Sequence, residues 1–93
     1  MDDLSPTEFY LFQNYPNPFK EKTTIKYCIA YKTKVRLTVF NSKGDLMEKL
    51  VDEEKEAGTY KVNFDASELS SGIYYYKIES GNFTSVKKMI LLK

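Results

Sequence analysis

The densest cluster of side chains able to do chemistry lies in VDEEKEAG, residues 51–58, which gathers Asp52, Glu53, Glu54 and Glu56. Neighbouring carboxylates could hold a calcium ion or share acid and base roles in glycoside hydrolysis. A calcium loop alternates its ligands around a tight turn, and this run lacks that spacing. Glycosidase carboxylates can come from distant strands, but nothing else in the sequence supports such a pair. The run therefore reads as a solvated connection between strands. Histidine is absent, which removes the commonest general base, proton shuttle and metal ligand. With it go the Ser–His and Cys–His nucleophile pairs and the ordinary zinc sites. Cys28, the single cysteine, sits in an apolar–polar alternation and reads as a small, buried or half-buried side chain. The four glycines lie apart at turns and form no phosphate loop. No catalytic, metal-binding or cofactor-binding residue is expected, and the chain reads as a non-enzyme.

The elements that position these residues must fit one small domain of 93 residues. A chain this short buries roughly 60–65% of its unfolded surface, so its stability should be about 5–10 kcal/mol. Fourteen basic and 13 acidic residues leave a net charge of +1, too little for a broad field attracting nucleic acid or anionic lipid. No segment approaches the ~20 apolar residues of a membrane span, so no membrane insertion is expected. The opening MDDLSPTEF lacks the basic region, apolar stretch and cleavage site of a signal peptide. A leader belonging to a longer parent chain would lie far upstream.

Apolar residues recur mostly with period two, the pattern of half-buried strands. In TTIKYCIAY, Ile25, Tyr27 and Ile29 share a face; in KVRLTVF, Val35, Leu37 and Val39 do. LMEKLV alternates less cleanly, whereas TYKVNF aligns Tyr60, Val62 and Phe64. IYYYKI and FTSVKKMILL complete the series, and FYLFQNYPNPF supplies an edge strand followed by a rigid exit. Turns fall at NSKGD, EKEAG, ASELSSG and Gly81-Asn82, with Leu69 placed to plug one end of the core. These features predict an all-β fold, an antiparallel β-sandwich of about seven strands, with a small barrel as the alternative. The tail KKMILLK cannot turn all its aliphatic groups one way: Met89 and Leu91 form one set, Ile90 and Leu92 the other. One set is expected inside and the other outside, on a strand with an unpaired outer margin open to strand addition.

Three stretches together carry a resemblance: LFQNYPNPF running into TTIKY, AGTYKVNFDASELSSGIYYYKIESG, and the closing KKMILLK. In order and spacing they resemble the C-terminal sorting domain of type IX secretion substrates, type A class, an Ig-like sandwich. The resemblance spans Leu11 to Lys93. It departs from the commoner form at Lys20-Glu21-Lys22, where an Asn-Pro-rich stretch usually stands. The GIYYY strand is also similar to the Ig-like domain of flagellar hook-capping proteins.

The resemblance implies an address rather than an activity. A cargo region of the same polypeptide would precede the domain, with residues 1–8 as linker and 9–93 as the sorting domain. The cargo would pass through the periplasm, and an outer-membrane translocon would read the domain. A sortase-like peptidase would then release the cargo at the cell surface or outside the cell. Translocon recognition would fall to Lys87, Lys88, Met89, Ile90, Leu91, Leu92 and Lys93. Tyr15, Pro16, Asn17, Pro18 and Phe19, with Gly72, Tyr74 and Tyr76, would form structural motifs. For PNPF the reading is a rigid turn anchored by Phe19, with a docking element for the translocon as the alternative. The competing function is a carbohydrate-binding or adhesive sandwich, for which Tyr75, projecting opposite Tyr74 and Tyr76, and Tyr31 are the candidate rings; core packing accounts better for most of the aromatics.

Overall fold

Period-two alternation becomes seven antiparallel strands in the computed structural model, which describes residues 8–93. They are β1 (Tyr10–Leu11), β2 (Lys22–Ile29), β3 (Thr33–Asn41), β4 (Leu46–Lys55), β5 (Gly58–Asp65), β6 (Gly72–Ser80) and β7 (Phe83–Leu91). Two sheets form, ordered β1-β2-β5 and β4-β3-β6-β7. The chain changes sheet between β2 and β3, between β4 and β5, and between β5 and β6. This is a β-sandwich, consistent with an Ig-like fold, and neither a helix nor a closed barrel occurs among the described residues. Residues 1–7 of the expected linker lie outside the described residues; Glu8 is exposed.

Each sheet contributes one apolar face to the core. Ile25, Tyr27, Ile29 and Phe64 come from one sheet; Val35, Leu37, Val39, Tyr76, Ile78, Met89 and Leu91 come from the other. Phe19 closes one end against Phe64, with ring centroids 6.4 Å apart. Leu69 packs on the core from the β5–β6 connection, as expected. Cys28 is half-buried on β2.

The strand β4 departs from the sequence reading. Asp52, Glu53 and Glu54 belong to it and do not form a connection. Opposite them β3 places Glu54 beside Lys34 and Asp52 beside Arg36. Cross-strand charge pairing supports an edge strand that has little apolar alternation of its own. The register also slips at Leu37/Thr38 and at Val39/Phe40, leaving Leu50 and Met47 without a partner. The first bulge lets consecutive residues Leu50 and Val51 both pack on the core, which explains the broken alternation of LMEKLV.

Candidate functional site at the terminal strand

Strand β7 lies at the end of its sheet and pairs with β6 in unbroken register, from Ser80↔Phe83 to Gly72↔Leu91. Met89 and Leu91 are fully buried, Ile90 is half-buried and Leu92 is 53% exposed. The two aliphatic sets divide as the alternation predicts. Lys88, Ile90 and Leu92 therefore share the outer face, near Ile73, which stands opposite Ile90. Lys87 is half-buried and has the parity of the inward set. Lys93 is tied down: its amide donates to Ser71 Oγ at 2.9 Å and its ammonium to the Ser67 carbonyl.

The expectation of an open outer margin needs correction. Over residues 88–92 that margin is occupied by the Gln13–Phe19 segment. Gln13 Nε2 donates to the Lys88 carbonyl at 2.6 Å, and the Ile90 amide donates to Asn17 Oδ1 at 2.9 Å. The Phe19 amide donates to the Ile90 carbonyl at 3.0 Å, while the Phe19 carbonyl accepts from the Leu92 amide at 2.8 Å. This short parallel bridge, Phe19↔Leu91, seals the end of the strand. Backbone groups of even-numbered β7 residues point this way, so Thr84 and Val86 make no backbone hydrogen bond on this margin among the described residues, although β1 of the other sheet lies alongside β7.

The clasp has a second side. Tyr15 exchanges both backbone hydrogen bonds with Thr24 on β2. Asn14 is buried, and its Nδ2 donates to Thr23 Oγ1 and to the Pro16 carbonyl; Thr23 Oγ1 donates to that same carbonyl. Prolines suit the stretch because each fixes its own φ and needs no backbone donor partner. YPNPF thus stitches β2 to β7 across the mouth of the sandwich, and the rigid-anchor reading of Phe19 agrees with its 2% exposure.

The tyrosines of GIYYY divide the remaining labour. Tyr74 donates its hydroxyl to the Ser70 carbonyl four residues upstream, at 2.7 Å, which pins the β5–β6 corner. Tyr76 is fully buried; its hydroxyl accepts from the Asn14 amide and donates to the Phe12 carbonyl, both at 2.7 Å. Burial pushes its pKa up to about 12, against the opposing pull of the Asn14 amide. Gly72 starts the strand opposite Leu91. Tyr75 points to the outer face, half-buried between its cross-strand neighbours Phe40 and Lys88. Tyr31 packs edge-on against Phe9, with centroids 4.9 Å apart, far from Tyr75 along the sheet.

The structure thus joins two groups the sequence kept separate, 13–19 and 88–92. Sequence reasoning missed Gln13 and Asn14; their signal was polar side chains among prolines beside a core aromatic.

Residues 13–92 match the family described as secretion system C-terminal sorting domain, and the chain belongs to that family. It is a type IX secretion sorting domain, of a family whose role is to direct export rather than to catalyse. Neither a curated protein nor a solved structure matches the chain.

Proposed function

We propose that the domain carries an attached cargo region from the periplasm through the type IX translocon, and that the outer face of the terminal strand is the part read. Lys88, Ile90 and Leu92 would supply side chains, with Ile73 beside them, and the unbonded margin at Thr84 and Val86 would accept a strand from the receptor. A sortase-like peptidase would act after passage, leaving the cargo at the surface or outside the cell. The observation carrying this reading is the clasped terminal strand. Its backbone is fixed by partners at both margins, so Leu92 and Ile90 are held in a defined array while remaining outside the core. A preorganised surface loses little entropy on binding.

The test separates reading from folding. Residues 1–93 fused to a periplasmic reporter should bring the reporter to the surface of a bacterium that has the machinery. The double variant Lys88→Glu, Leu92→Asp alters two exposed side chains and no core contact, so it should fold normally yet strand the reporter in the periplasm. Secretion at the parental level by a folded double variant would refute the assignment.

A further inference from the structure

Not every cation on the outer faces of the sandwich stands opposite an acid. On the four-stranded sheet the cations of the central strands meet acids: Lys34 lies 3.5 Å from Asp52, Arg36 lies within 3.9 Å of Asp52 and Glu79, and Lys77 lies 3.7 Å from Glu79. On the three-stranded sheet Lys26 of β2 stands directly opposite Lys61 of β5. Neither makes an ion pair among the described residues. Like charges directly opposite one another oppose strand pairing. Protection of a sheet edge accounts for Lys61, because β5 is an edge strand, but not for Lys26 in the middle.

Both lysines line a groove of about 520 Å³ that contains no carboxylate. Its other walls include Phe12 and Tyr15 on the clasp side, with Thr24 and Asn63 on the floor. The Lys26 ammonium lies 4.7 Å from the centre of the Phe12 ring. Tyr15 is 81% exposed, although its backbone is held on both sides by Thr24. Thr24 Oγ1 donates to Asn63 Oδ1 at 3.0 Å, which leaves the Nδ2 hydrogens of that amide available as donors. An exposed ring on an anchored backbone, an amide held by Thr24 and two ammonium groups without a carboxylate partner form one concave surface.

We propose that this groove binds an acidic oligosaccharide. A sugar ring would lie against Tyr15, its carboxylate or other anionic substituent between Lys26 and Lys61, and its hydroxyls on Asn63 and Thr24. A neutral sugar would leave the lysine pair unanswered. An acidic peptide would meet the lysines but would lay no flat pyranose face on the Tyr15 ring. The site is on the opposite sheet from the terminal-strand surface, so the two assignments stand or fall separately.

Titration calorimetry of residues 1–93 with hexagalacturonate, cellohexaose and hexaglutamate tests the proposal. Hexagalacturonate should bind saturably, more weakly as salt is raised, and cellohexaose should not. Lys61→Gln removes a charged hydrogen bond and should weaken binding about tenfold or more. Tyr15→Ala should weaken it by about threefold to tenfold, whereas Lys43→Gln, an equal loss of charge elsewhere, should leave it unchanged. Unchanged melting of each variant would confirm that the fold survives. Absence of saturable binding, equal weakening by Lys43→Gln, or preference for hexaglutamate would each overturn the assignment.

Discussion

The Tyr76 hydroxyl is the point where β6, the N-terminal segment and the core meet. Replacing it with Phe keeps the ring but leaves the Phe12 carbonyl and the Asn14 amide without their partner, which should cost about 1–3 kcal/mol at neutral pH. The cost should depend on pH. Because burial raises the hydroxyl's pKa from 10.0 to about 12, the folded state keeps a proton that the unfolded state releases above pH 10. Tyr76 therefore contributes a stability that is complete below pH 10 and declines as pH rises toward 12. Denaturant unfolding from pH 8 upward should show the gap between parent and Tyr76→Phe narrowing once pH 10 is passed. A constant gap would mean that the hydroxyl is not sealed from water.

The clasp is the element that turns β7 from an edge strand into a fixed surface. Asn17→Ala should leave the Ile90 amide without its acceptor and cost about 1 kcal/mol. Hydrogen exchange should quicken at Ile90 and Leu92, while amides shared by β2 and β5 should change only as much as global stability does. How much of this was readable beforehand depended on the range of the interaction. Strands such as β2 and β6 announced themselves because burial of one face imposes period two on adjacent residues, and the Met89/Leu91 division followed from the same rule. The acidic half of β4 was missed because its stabilising partners, Lys34 and Arg36, lie on another strand and its own residues carry no alternation. The clasp escaped for the same reason: Gln13 and Lys88 are 75 positions apart, and no local pattern specifies which amide meets which carbonyl. The lysine pair of the groove likewise exists only once the β2–β5 register is known.

For the domain as a unit, the terminal strand cannot be removed as if it were a detachable label. Trimming Lys88 to Lys93 deletes Met89 and Leu91, both wholly buried, and the partner of the Phe19 bridge. Core losses of this kind cost about 2–5 kcal/mol per large side chain. They compare with a total stability of about 5–10 kcal/mol for a domain of this size. The trimmed domain should therefore show no cooperative thermal transition by circular dichroism, and failure to secrete it would reflect unfolding as much as a lost signal. A sharp transition retained after trimming would show that the closing contacts matter less than their burial implies.

Because Phe19 finds its backbone partners in Ile90 and Leu92, the early and late parts of the chain certify one another. A polypeptide still being synthesised or threaded, with Leu92 not yet delivered, lacks the bond from its amide to the Phe19 carbonyl and holds the mouth of the sandwich less firmly. Any receptor that grips the shut form would thereby favour molecules in which these two segments have met.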